Sequence, residues 1–138
     1  MKKKTLGIIL FILILAFVWG QSLMPKGTSA RESSWLTQNI INPVLKFFGL
    51  KSISSALVRK IAHVMEFTAL SFVTCNLVDR KPKNIPKVVL IGFIIAFLDE
   101  TIQVFSSRGP QIQDVWIDLI GVAIGTLLGF LLLRKKKN

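Results

Sequence analysis

The sequence predicts an all-α membrane protein. The expected architecture is a four-transmembrane-helix bundle with both termini in the cytoplasm and an amphipathic loop helix on the outer face, between the first and second spans. Three observations predict it. The chain has 138 residues, 51% of them hydrophobic, and a mean hydropathy of +0.58. A soluble domain of this size leaves too much surface in water to hide so much apolar sequence. The apolar residues fall in four runs, each close to the roughly 17–25 helical residues that a bilayer core of about 30 Å requires. The basic residues, finally, gather at particular loops and ends. The length fits a single domain, residues 1–138. A net charge of +11 taken alone suggests nucleic acid, but modules of that class are polar, so no nucleic-acid partner is expected.

The first run, residues 5–23, reads TLGIILFILILAFVWGQSL and follows Lys2, Lys3 and Lys4. A basic start and an apolar core also describe a cleaved signal peptide, but no clear A-x-A site adjoins the core, which favours a retained span. The following stretch, MPKGTSARESS, is rich in Pro, Gly, Ser and Thr and reads as irregular chain. After it, Trp35, Leu36, Ile40, Ile41, Val44, Leu45 and Phe48 stand near helical spacing. Ser33 or Ser34 offers a cap and Pro43 a break. This segment reads either as an amphipathic helix on the outer leaflet or as an ordinary packing loop over the bundle mouth.

Residues 57–78 form the second expected span, apolar on average but charged in its first half. Residues 88–105 form the third, with Asp99 and Glu100 late, and residues 115–133 the fourth, followed by Arg134–Lys137. Backbone groups in lipid must be satisfied internally, so each span is a helix. The single Cys75 excludes an intramolecular disulfide and a CxxC site, and it reads as a small buried apolar residue.

Sorting charges by loop sets the orientation. The N-terminus, the loop DRKPKNIPK and the C-terminal tail carry eleven basic residues and one acid, Asp79; the opposite side receives seven basic and six acidic residues. Short cytoplasmic loops are rich in Lys and Arg, so both termini and that loop are expected inside. The expected location is a plasma membrane, the bacterial cytoplasmic membrane, with the bilayer itself as partner.

Ionisable residues within spans are costly and ask for a partner or a task. Arg59, His63 and Glu66 follow i, i+4, i+7 on one helical face, with Lys60 beside it. Gly92, Ala96, Asp99 and Gln103 share a face of the third span, with Glu100 adjacent. Asp114, Asp118, Gly121, Gly125 and Gly129 share a face of the fourth, and its G-x-x-x-G-x-x-x-G ladder admits a close helix neighbour. With Arg108 in the short turn SSRGPQIQ, all these ionisable groups fall in the outer half of the membrane. Three bases, five acids and one His so placed describe either an ion-pair lattice or an outward-facing site. Crowded carboxylates call for a shared proton, a charged His63 or a bound cation, so a divalent cation is compatible although no cofactor is required. The inner halves offer no polar path, which argues against a pore.

The strings VRKIAHVMEFTALSF, AFLDETIQVFSSRGPQIQDVWIDLIGVAIG and WGQSLMP together resemble the VanZ-like family of small membrane proteins, from about Val18 to Gly129. The resemblance implies a four-helix membrane protein at the cell envelope, linked in the family's named member to teicoplanin resistance. It implies as motif residues Arg59, Lys60, His63, Glu66, Asp99, Glu100, Gln103, Arg108, Asp114 and Asp118. Phe67 and Asp118 depart from the Tyr and Asn expected at these places, without disturbing the charged set.

Two function classes follow. In the first, the polar cup or the amphipathic loop binds a lipid-linked or lipoglycopeptide ligand without catalysis. In the second, a membrane-embedded enzyme acts on a lipid-linked envelope substrate. His63 would be its acid/base, oriented by Glu66 or Asp99, while Arg59, Lys60 and Arg108 hold a phosphate. His63 and Glu66 with Asp99 and Glu100 could also hold a metal. Ser106 and Ser107 are available hydroxyls, but serine in a turn is chiefly a turn residue.

Overall fold

The computed structural model describes residues 2–78, 81–106 and 112–134. The described chain is helical and contains no strand. Four long helices form the bundle: α1 (Lys2–Leu23), α4 (Ser55–Leu77), α5 (Ile85–Phe105) and α6 (Ile112–Arg134). Between the first two lie α2 (Lys26–Leu36), a π turn (Thr37–Ile41) and α3 (Asn42–Phe47). A 3₁₀ turn, Pro82–Asn84, leads into α5.

The directions of the helices follow from their contacts. Gly121, Gly125 and Gly129 of α6 face Val64, Thr68 and Cys75 of α4 in the same order, so α4 and α6 run parallel. Gly7 near the start of α1 faces Leu77 at the end of α4, so these two are antiparallel. Gly92 faces Val122, while Asp99 approaches Asp118, so α5 and α6 are antiparallel. One end of the bundle therefore holds the start of α1, the 3₁₀ turn and the end of α6. The other holds α2, α3 and the start of α4.

The α4–α6 contact is the closest in the bundle. A Cβ built on Gly121 would lie 2.5 Å from the Val64 carbonyl oxygen, and one on Gly125 would meet the Thr68 carbonyl and lie 3.0 Å from the Ser71 Cβ. Only glycine permits this backbone-to-backbone approach. The approach also brings polar groups together: Thr68 Oγ1 donates to the Gly121 carbonyl at 3.2 Å, and Cys75 Sγ lies 3.9 Å from the Thr126 carbonyl. Val18, Phe67, Leu70, Ile95, Ala96 and Val122, drawn from all four long helices, form the core.

The outside of the bundle is apolar. Leu13 and Phe17 of α1, Met65 of α4, Phe97 of α5 and Leu127 and Leu131 of α6 are all more than half exposed. A water-soluble monomer does not present such a belt; hydrocarbon tails satisfy it. Three described segments are long and apolar enough to cross a membrane: Lys4–Leu23, Pro82–Phe105 and Gln113–Leu132. The second of the four expected spans, residues 57–78, is not among these three. The 23 residues of α4 reach about 35 Å, but Arg59, Lys60, His63 and Glu66 hold the hydropathy of its first half below that of a spanning helix.

The connection from α1 to α4 also departs from expectation. Irregular chain followed by a single helix from Trp35 is expected, but α2 already begins at Lys26. Pro25 stands just outside with φ −56° and ψ 145°, and its carbonyl accepts from the Thr28 and Ser29 amides at 3.0 and 3.1 Å. The hydroxyl residues that suggested a loop are satisfied within the helix: Ser33 Oγ donates to the Ala30 carbonyl and Thr37 Oγ1 to that of Ser33. Ser33 and Ser34 thus lie inside the helix rather than capping it. Pro43 removes an amide donor, and the π turn immediately before α3 absorbs the irregularity. Gly49, with φ 71°, ends α3, its amide and that of Leu50 returning to the Lys46 and Leu45 carbonyls. Asn42 then ties this corner to the next helix, exchanging two hydrogen bonds with the Ile53 backbone at 2.9 and 3.3 Å. Ser54 Oγ caps α4 by accepting from the Leu57 amide.

The glycine contact yields a direct test. Gly125→Ala drives a methyl into the Thr68 carbonyl and is expected to destabilise the bundle by about 1–3 kcal/mol, read as a lower Tm in detergent. Gly20→Ala, where nothing lies within 4 Å of the added carbon, is expected to leave Tm unchanged or raise it slightly.

Candidate functional site

The polar residues of the four long helices meet at one level. After its basic start α1 is apolar until its last turns, where Gln21 and the fully buried Ser22 stand. Helical spacing turns Gly92, Ala96, Asp99 and Gln103 of α5 to one face, and all four are buried. Asp118 precedes the glycine ladder by three residues on α6, so the close approach of α6 to α4 also carries its carboxylate to α4. There His63 Nδ1 lies 3.1 Å from Asp118 Oδ1.

Asp99 is the centre of this layer. It is fully buried, and Ser22 Oγ donates to its Oδ1 at 2.6 Å while Gln103 Nε2 donates to its Oδ2 at 2.8 Å. Hydrogen bonds to both oxygens are what makes a buried carboxylate tolerable in a low-dielectric interior. Asp118 is 2% exposed and takes its bond from His63. The contact engages one imidazole nitrogen, Nδ1, and leaves Nε2 as the second ring nitrogen. One ligand atom each from His63, Asp99 and Asp118 lies within 4.8 Å of the others. Among the described residues these three are grouped closely enough to hold a metal ion; the grouping the sequence suggests is His63 and Glu66 with Asp99 and Glu100, which shares His63 and Asp99 with it.

Beside this layer a cavity of about 250 Å³ opens between α2 and α4. Arg59, His63 and Glu66 line it from α4, Glu32 and Ser33 from α2, and Gln21 from α1. Arg59 and Glu66 are each half-buried and make no hydrogen bond or ion pair with another described residue. His63 is shared, contacting Asp118 on one side and the cavity on the other.

The expected site residues therefore divide. Arg59, His63 and Glu66 wall the cavity. Asp99, Gln103 and Asp118 form the buried layer behind it, with Glu100 buried alongside on α5. Asp114 is half-buried one turn before Asp118, with its Oδ1 shielded and without a hydrogen-bond partner. Lys60 is exposed and does not line the cavity. Arg108 and Ser107 lie outside the described residues, and Ser106 Oγ donates to the Ile102 carbonyl as a helix-end residue. Residue spacing alone missed Ser22, Gln21 and the α2 wall. The available signal was the polar pair Gln21–Ser22 at the end of an otherwise apolar run, at the depth of the other polar residues.

The apolar exterior of the bundle agrees with the comparisons to known proteins, which point to a membrane protein. No solved structure matches the chain. Over 87 residues it is 31% identical to the uncharacterized membrane protein YwnJ of Bacillus subtilis (strain 168), an alignment that covers 63% of this chain and 58% of that protein. The chain thus spans less than two thirds of that relative's length. The VanZ/LLP1 family profile matches residues 5–133, nearly the whole bundle from α1 to α6, and the chain is a membrane protein belonging to the VanZ/LLP1 family.

Proposed function

We propose that the protein is a four-span envelope protein whose cavity opens at the outer face and binds the polar head of a lipid-linked ligand. The observation that carries this reading is the cavity between α2 and α4, with Arg59 and Glu66 on its wall and no described partner for either. Charged side chains in a membrane protein are expensive unless paired or in use. A volume of about 250 Å³ suits a headgroup rather than a whole lipoglycopeptide, since sites for drug-sized molecules run from about 300 to 1,000 Å³. An effect on teicoplanin-type antibiotics would then be indirect, through a changed supply or exposure of surface lipid.

The fourth span in this reading is α4. In its charged half His63 faces the polar layer and Arg59 and Glu66 face the cavity under α2. Lys60 is exposed near the helix end, where a long basic side chain reaches the interface. The second half of α4 is largely apolar. The basic residues at the end that holds the start of α1 and the 3₁₀ turn orient that end to the cytoplasm of a bacterial plasma membrane. With Cys75→Ser as background, a cysteine replacing Lys46 is expected to react with an impermeant maleimide on intact cells. One replacing Lys83 is expected to react only after permeabilisation. The reverse pattern inverts the proposed topology.

Arg59→Ala and Glu66→Ala are expected to keep the wild-type Tm within a few degrees and to abolish any shift in teicoplanin-type susceptibility that the wild-type chain confers on a bacterial host. Full phenotype in both variants at equal expression rejects a role for the cavity. Asp99→Ala is expected to lose phenotype and stability together, because it strands Ser22 and Gln103 at a cost of about 1–3 kcal/mol each.

A second reading is catalysis on a lipid-linked substrate, favoured by the His63–Asp118 contact. A carboxylate that fixes an imidazole with one nitrogen free is an arrangement suited to proton transfer. A divalent cation on His63, Asp99 and Asp118 belongs to this reading. Metal analysis of the purified protein and incubation with lipid-linked substrates test it. Bound metal at about one per chain, lowered by Asp118→Asn, or turnover lost in His63→Ala, supports catalysis. Metal-free, inactive but folded protein argues for binding alone.

A further inference from the structure

Resting on the binding reading of the α2–α4 cavity, we propose that its ligand is a small zwitterion, an anionic group joined by a short linker to a primary ammonium, as in the headgroup of a phosphatidylethanolamine-type lipid. The wall is bipolar. Arg59 stands toward one end and Glu66 toward the other, on the same face of α4 and lining the same cavity. Seven residues of α-helix separate their backbone positions by about 10.5 Å along the axis. A cavity of about 250 Å³ admits both ligand charges only where a short linker joins them on one small group. A phosphoryl group and an amine two carbons beyond the ester oxygen meet that condition.

The remaining wall fits the same ligand. His63, between the two charges in sequence, holds Asp118 through Nδ1 and also lines the cavity. Glu32 of α2 adds a second carboxylate at the wall, which favours a cation there and disfavours a purely anionic headgroup. A primary ammonium offers three N–H donors, whereas a trimethylated one offers none, so the site discriminates between these headgroups.

The test uses the full-length chain reconstituted in vesicles of equal parts phosphatidylethanolamine, phosphatidylglycerol and phosphatidylcholine, with retained lipid counted by native mass spectrometry. Phosphatidylethanolamine is expected to be retained about tenfold over either of the others, the ratio that one additional charge-assisted hydrogen bond provides. Glu66→Gln is expected to erase the preference over phosphatidylglycerol, and Arg59→Met to reduce retention of all three. Lys46→Ala, exposed on α3, is expected to change nothing. Free O-phosphoethanolamine, titrated against protein in detergent, separates the sources. A rise in Tm with it but no lipid preference assigns the zwitterion to a soluble ligand. Equal retention of the three lipids by the wild-type chain, with no response to O-phosphoethanolamine, overturns the proposal. If that chain still retains a polyprenyl-pyrophosphate lipid, the zwitterion fails and the binding reading stands; if it retains neither, both fail.

Discussion

The contact on which the bundle depends is the backbone approach of α6 to α4. Four helices in a membrane gain little from hiding apolar side chains from one another, because lipid is as apolar as leucine. Close packing and polar contacts must hold them. The glycines at 121, 125 and 129 bring α6 against the Val64 and Thr68 carbonyls and the Cys75 side chain, so dispersion and a Thr68 hydrogen bond to Gly121 act over nearly the whole interface. The same approach gives the charged first half of α4 a neighbour that lipid could not provide.

The polar layer follows from that contact. Once α6 lies parallel and adjacent to α4, Asp118 comes to His63. α5 lies antiparallel to α6 and brings Asp99 to the same depth. α1 completes the layer with Ser22. Every long helix thus contributes at least one polar group to a shared layer, which fixes rotation and axial register together. The cost of burying Asp99 and Asp118 is offset by three described hydrogen bonds, and a shift of one helix by a single turn would break at least one of them. The apolar core around Phe67, Leu70 and Val122 tolerates such a shift more readily, because apolar contacts are not directional.

The cavity is what the layer does not fill. α2 covers the first half of α4 instead of running as free chain, and Arg59 and Glu66 line the cavity between them without a hydrogen bond or ion pair to another described residue. The hydroxyls of Ser33 and Thr37, bonded within their own helical run, let a polar segment fold over a polar wall without exposing unsatisfied groups. The Asn42–Ile53 pair holds the far end of the cap to the start of α4, so the cavity has a fixed roof.

The sequence by itself determined the helical class, the membrane environment and the helix faces. Those depend on hydropathy and on a fixed 3.6-residue period, both local properties. Gly92, Ala96, Asp99 and Gln103 could be assigned to one face from spacing alone, and the resemblance to the VanZ-like family was legible in short motifs. What the sequence could not give is which faces meet. Tertiary structure decided that Asp118 pairs with His63, that Ser22 of a nearly apolar helix bonds Asp99, and that Lys60 lies outside the cavity its neighbours line. It also decided that a Ser/Thr-rich stretch is a helix, because those hydroxyls find backbone acceptors only once the turn has formed. Pairings of this kind join residues 77 and 55 positions apart, and no local period encodes them. They are set by how closely glycine lets two backbones approach.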